Sequence, residues 1–222
     1  MPVRRLKKSY TNVTGLFFSR KLGRLVQFDS MLERDFILLL DMHPAVASFT
    51  EQPLKVNRLD GEGVSQVYVP DFLISFTGAA FLGRRIWRPW IVETKYRSDL
   101  NENWQGIKPK IRAGISEAVR RRCAFHIITE GFLAGPPCVN ARFLRRFINC
   151  SSDQPAEAVL VETLRSRQVS TPRDLVKVLA TDIDEKSSLM QALWTAIAKG
   201  LIATDMESPI TVDSQIWLPG PL

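Results

Sequence analysis

Val69-Pro70-Asp71-Phe72-Leu73-Ile74, followed after a gap by Trp90-Ile91-Val92-Glu93-Thr94-Lys95-Tyr96, is the part of the sequence on which the fold turns. Both apolar runs read as strands, and both carry charge where an apolar strand should have none. Side chains along a strand alternate between its faces, so Glu93 and Lys95 point the same way. A buried carboxylate without a partner is costly. Two arrangements satisfy this. In one, Lys95 neutralises a carboxylate and the pairs are structural. In the other, Asp71 and Glu93 hold a divalent cation with Lys95 beside it. Hard oxygen ligands with no histidine among them suit Mg²⁺ or Mn²⁺.

Working outward, Gly15–Ser19 and Leu25–Phe28 read as short strands around the turn Arg20-Lys21-Leu22-Gly23. Ser30 suits a helix N-cap, with Glu33 three residues on as its capping-box partner, and Met31 to Met42 reads as the helix, stopped before Pro44. A glutamate in that first turn can also face an ion at the sheet, so capping and ligand roles are compatible. Val46–Val56 and Gln66–Phe76 read as extended segments joined by Asp60-Gly61-Glu62-Gly63, and Ile86–Tyr96 as another strand. Pro109 suits the first turn of a helix running to about Arg122. Phe125–Thr129 reads as a strand and Val139–Ile148 as a basic amphipathic helix. The sum is an α/β pattern with a mixed sheet.

The chain has 222 residues, 30 Lys and Arg against 23 Asp and Glu, three cysteines and two histidines. The charge is uneven. Residues 1–150 carry 24 basic and 13 acidic side chains, and residues 151–222 carry 6 and 10. Ser151-Ser152-Asp153-Gln154-Pro155 sits at the break, which gives two expected domains, 1–150 and 151–222. The basic one suits a polyanion such as DNA. Arg120, Arg121 and Arg122 end a helix, and Arg142, Arg145 and Arg146 recur at helical spacing; these six are the candidate phosphate contacts. Arg84, Arg85 and Arg88 with Trp87 and Trp90 suggest a basic-aromatic hairpin, and Arg4, Arg5, Lys7 and Lys8 a flexible arm. No apolar run reaches the roughly 18 residues of a membrane helix. Few, odd cysteines point to a reducing cytoplasm. Cys123-x-x-His126 with Cys138 and Cys150 lacks zinc-ligand spacing and reads as ordinary thiols.

In the second domain, Pro155–Arg167 reads as a helix, Thr171 with Pro172 opens another, and Asp184–Lys199 forms a third, ended by Gly200. Leu201–Met206 and Ile210–Leu218 then read as a two-stranded wing. Helices followed by a hairpin make a winged-helix pattern, a motif that often reads DNA. The net acidity of this half favours protein docking instead.

Asp71 followed by Glu93-x-Lys95 is the core pattern of the restriction-endonuclease-like nucleases. Phe28-Asp29-Ser30-Met31-Leu32-Glu33-Arg34-Asp35, Val46-Ala47-Ser48-Phe49-Thr50-Glu51-Gln52-Pro53, Tyr68-Val69-Pro70-Asp71-Phe72, Val92-Glu93-Thr94-Lys95 and Ile127-Ile128-Thr129-Glu130 occur in that order. Together they resemble TnsA, the endonuclease subunit of heteromeric bacterial cut-and-paste transposases, over most of residues 14–150. The resemblance implies a restriction-endonuclease-like domain followed by a winged-helix-like one. It also implies a bacterial, cytoplasmic enzyme that frees the 5′ strands of double-stranded DNA at transposon ends. A separate DDE transposase would process the 3′ ends, and an AAA+ ATPase regulator would dock on the C-terminal domain. Glu33, Asp71 and Lys95 fall on the family's catalytic residues, and Glu93 stands where this nuclease class has Glu or Gln. Glu117 matches a further helical carboxylate of the family only loosely. Asp71, Glu93 and the Thr94 carbonyl would fix Mg²⁺ or Mn²⁺, with Glu33 directly or through water. The ion would activate water, and a protonated Lys95 would act electrostatically. The alternatives are a stand-alone restriction or repair nuclease on the same fold, and a catalytically silent DNA-binding adaptor.

Overall fold

The structure, a computed structural model, describes residues 13–59, 64–77, 88–151 and 153–220. The basic arm at Arg4–Lys8, the turn at 60–63 and the hairpin residues Arg84, Arg85 and Trp87 lie outside the described residues. The chain divides into two compact units between Ala134 and Gly135. The expected break was Cys150. The division falls earlier because the helix before Cys150 packs with the helices that follow it, its Phe143 ring lying edge-on to Trp194 at 5.1 Å.

In the first unit, β1 (Gly15–Ser19) and β2 (Arg24–Phe28) form the expected antiparallel hairpin. Helix α1 (Met31–Met42) follows, with Ser30 as N-cap accepting from the Glu33 amide. Then come β3 (Val46–Glu51), β4 (Val56–Leu59), β5 (Ser65–Tyr68), β6 (Phe72–Phe76), β7 (Trp90–Thr94), α2 (Arg97–Glu102), α3 (Trp104–Arg120), β8 (Ala124–Ile128) and α4 (Glu130–Leu133). The central sheet has the order β3-β6-β7-β8. Its first three strands are antiparallel, and β7 and β8 are parallel, so the sheet is mixed.

The two long extended segments expected at 46–56 and 66–76 are each broken in two. β4 and β5 leave the sheet and pair only with each other. The breaks sit at Pro53 and Pro70, which have no amide N–H to give a ladder, and at Gln52, whose backbone turns left-handed at φ 45°. Helix α3 also begins earlier than expected, at Trp104, with Pro109 inside it.

Alternation places the two sides of the sheet. Phe72 meets Phe36 of α1 edge-on at 5.5 Å. Its neighbour Leu73 and the opposing Ile91 face the other way and pack with Leu54, Val56, Tyr68 and Ala118. The sheet is thus held between α1 and α3, with the β4–β5 hairpin folded over the α3 side. A side chain at Gly114 would place its Cβ 2.3 Å from the Phe125 ring, so glycine is what lets α3 close on β8.

The second unit contains α5 (Pro136–Arg145), α6 (Gln154–Arg167), β9 (Val169–Ser170), α7 (Pro172–Leu179), α8 (Ile183–Ala198), β10 (Ala203–Thr204) and β11 (Ile216–Trp217). α5 starts ahead of the expected Val139 because prolines 136 and 137 fit a first helical turn. The expected two-stranded wing gains a third strand, in the order β10-β11-β9. The connection between β10 and β11 is held from outside. Asn140 of α5 donates through Nδ2 to the carbonyls of Met206 (2.9 Å) and Ser208 (2.8 Å), and its Oδ1 accepts from the amide of Ile210 (3.0 Å).

Candidate active site

Where β6 begins and β7 ends, the sheet brings Asp71, Glu93, Thr94 and Lys95 together. The Asp71 amide donates to the Val92 carbonyl at 3.0 Å, which fixes the register of the two carboxylates. Asp71 Oδ2 accepts from both the amide (2.6 Å) and the hydroxyl (2.7 Å) of Thr94. Glu93 is buried, at 4% exposure. Its Oε2 accepts from the Tyr68 hydroxyl at 2.6 Å, and its Oε1 lies 2.9 Å from Lys95 Nζ. Lys95 Nζ also donates to the Thr94 carbonyl at 2.9 Å, the oxygen the sequence had suggested as a ligand.

Glu33 takes the capping role in a modified form. Its Oε2 accepts from the amide of Asp29 (2.9 Å) and its Oε1 from the hydroxyl of Ser30 (3.2 Å), reaching one residue further back than a standard capping box. Its charge is nonetheless felt by Asp71 and Lys95. Gln52 joins the two halves of the site. Its amide donates to the Asp71 carbonyl at 2.7 Å, and its side-chain Nε2 donates to Asp29 at 3.2 Å.

The electrostatics show a surplus of negative charge. Burial, and after it the charge of Glu93, pushes the Asp71 carboxyl up to about 8. Burial likewise raises Glu33, against the hydrogen bond from Asp29. Burial works to lower Lys95, but Asp71, Glu93 and Glu33 together outweigh it and raise its pKa, so Lys95 is an ammonium. Burial and Glu93 raise the Tyr68 phenol, which therefore stays a donor. Among the described residues no cage of three or more His, Cys, Asp and Glu side chains is formed. The donor set nevertheless fits a hard divalent cation: a carboxyl held protonated by burial and by the charge of a neighbouring carboxylate is what such an ion relieves.

The arginines are distributed differently from their sequence pattern. Arg120 and Arg121 both close on Glu117, at 2.6 and 2.5 Å, and hold its carboxyl down to about 2. Arg122 follows the helix at φ 58°, exposed. Arg142, Arg145 and Arg146 belong to α5 and its end, in the second unit. His126 stacks on Trp90 with ring centroids 4.1 Å apart. The two residues that sequence reasoning missed are Tyr68 and Gln52.

Residues 43–130 match the family described as TnsA-like endonuclease N terminal. Over this stretch the chain is similar to a TnsA-like endonuclease domain. No curated protein matches it. The matched stretch of the TnsA-like domain runs from the end of α1 to Glu130 and contains Asp71, Glu93, Thr94 and Lys95. Glu33 lies ahead of it and joins the site through the cap of α1. The mixed α/β architecture is that of a restriction-endonuclease-like fold, and the likeness to a TnsA-like endonuclease points to DNA as the substrate class. No helix among the described residues is long and apolar enough to cross a membrane.

Proposed function

We propose that this TnsA-like chain is the metal-dependent endonuclease of a heteromeric transposase, cutting the 5′, non-transferred strands at transposon ends in the bacterial cytoplasm. The observation that carries this reading is the pair of strand carboxylates, Asp71 and Glu93, set beside one lysine with the Asp71 carboxyl displaced to about 8.

Asp71 and Glu93 would hold Mg²⁺ or Mn²⁺, with the Thr94 carbonyl and Glu33 completing the set. Bound there, the ion lowers the pKa of water and screens charge on the phosphate being attacked. Thr94 orients Asp71 through its amide and hydroxyl, and Tyr68 orients Glu93. Lys95 is charged and offers its ammonium to the developing negative charge, which favours electrostatic stabilisation over proton abstraction. With Glu93 and the Thr94 carbonyl engaged as ligands, Lys95 would be free to offer its ammonium to a phosphate oxygen.

The second unit supports a docking role. From α6 onward its order, helix, strand, two helices, two strands, suits a winged helix, and we assign it the contact with an AAA+ ATPase regulator. The first turn of α8 presents Asp184 and Glu185 in exposed positions, which suits a basic protein face better than a DNA groove. The six arginines would add phosphate contacts.

The test is a nicking assay on a plasmid carrying the transposon end, with Mg²⁺, the partner DDE transposase and the regulator, each omitted in turn. Cutting of the 5′ strand only with the DDE partner present, lost in Asp71→Ala and in EDTA, is expected. Efficient cutting at one position by the chain alone would establish a stand-alone nuclease. Full activity of Asp71→Ala would remove the site assignment.

A further inference from the structure

Behind the catalytic strands, between α3 and the β4–β5 hairpin, lies a cavity of about 690 Å³. Asn57 and Arg58 line it from β4, and Lys108, Arg112 and Ser116 from α3. Glu117 and Arg120 close one side, already paired with each other. The remaining charged lining is therefore cationic: Arg58, Lys108 and Arg112, none of which forms an ion pair among the described residues. Lys108 and Arg112 stand four apart on α3 and so share a face. The Nε of Arg58 is buried and has no acceptor among the described residues. A buried donor left unmade is costly, and one in a cationic cavity calls for an anion.

The cavity also has a defined relation to the candidate active site. Val56, which lines it, stands opposite Tyr68 in the hairpin register, and Tyr68 carries the hydrogen bond to Glu93. The lining thus begins at the hairpin partner of Tyr68 and runs outward through Asn57 to its first cation, Arg58, two residue pairs further along. We infer that this cavity is a phosphodiester-binding site, taking the DNA backbone beside the scissile phosphate through Arg58, Lys108 and Arg112. Phosphate contacts of this kind position a strand without reading its sequence. This assignment rests on the nuclease reading for its choice of DNA over other phosphate anions. It also adds to the candidate contacts at the end of α3 a set of cations separated in sequence.

The experiment uses the full chain in EDTA, a fluorescein-labelled duplex, and anisotropy titrations from about 50 to 200 mM salt. Lys108→Ala with Arg112→Ala is expected to weaken duplex binding about tenfold and to lower the salt slope by about 1.8, the value for two lost phosphate contacts. Arg58→Gln is expected to weaken it further. Lys177→Ala, an exposed cation of the second unit, serves as the matched control and is expected to bind as wild type. Unaltered melting curves exclude misfolding, and Arg112→Glu alone gives a second route should the double variant fail to fold. Wild-type affinity and slope in the groove variants would overturn the inference, as would an equal loss in Lys177→Ala. So would loss of inorganic pyrophosphate binding with duplex binding retained. The nicking assay separates the two readings: groove variants that lose duplex binding in a chain that never cuts DNA keep the site and sink the nuclease. A chain that cuts but binds DNA without the groove does the reverse.

Discussion

Tyr68 is where geometry can be separated from charge. Tyr68→Phe removes one oxygen and leaves a buried Glu93 oxygen without its donor. Outer hydrogen bonds to metal ligands are typically worth 10–100-fold in activity or affinity. Tyr68→Phe should therefore cut nicking by about tenfold and raise the Mg²⁺ concentration needed, with the fold retained; a Mg²⁺ titration of nicking rate checks it. Asp71 yields a pH prediction. Its folded pKa of about 8 lies above its ordinary 3.8, so the folded chain keeps a proton there that the unfolded chain releases. The stability this group contributes is complete below about pH 4 and is lost as pH rises towards 8. Asp71→Asn should thus melt above wild type in EDTA, by a margin that grows from pH 5 to pH 8, and Mg²⁺ should stabilise wild type alone. Thermal melts at the two pH values decide. Asp71, Glu93 and Lys95 were legible because charge interrupts apolar strands. Tyr68 was not, since a tyrosine in a strand is ordinary, and the left-handed backbone of Gln52 leaves no mark in composition.

At the level of elements, α1 carries the argument. Its limits, its Ser30 cap and its stop before Pro44 were all readable, because each is a local effect with a residue signature. Ser30→Ala should cost about 1 kcal/mol of stability, seen as a fall of a few degrees in Tm. It should also reduce nicking, since the Ser30 hydroxyl helps to hold Glu33. A Tm loss with activity intact would mean that Glu33 serves the helix alone. The broken strands were harder to read. Residues 46–56 and 66–76 have strand composition throughout, and their departure from the sheet follows from two prolines and one backbone angle acting together. The start of α3 was missed because a proline placed well for a first turn was tolerated further in.

For the whole molecule, composition and packing change at different places. The charge balance shifts near Cys150, whereas Phe143 and Phe147, before it, stack around Trp194 in the second unit, with centroids 5.1 and 6.5 Å from the indole. Assigned by packing, residues 135–222 carry 9 basic and 10 acidic side chains, close to neutral. The net acidity that argued for docking is therefore nearly cancelled, and the local acidity of the first turn of α8, at Asp184 and Glu185, is what remains of that argument. A fragment of residues 135–222 should fold cooperatively with a buried tryptophan, whereas residues 151–222 should show red-shifted emission and a broad melt; tryptophan fluorescence of the two fragments tests this. The clamp at Asn140 has one further consequence. Because three main-chain groups of the β10–β11 connection are satisfied by a side chain from another helix, the shape of that connection makes little demand on its own side chains. Its sequence can drift, and with it the identity of whatever it touches, while its conformation is inherited unchanged.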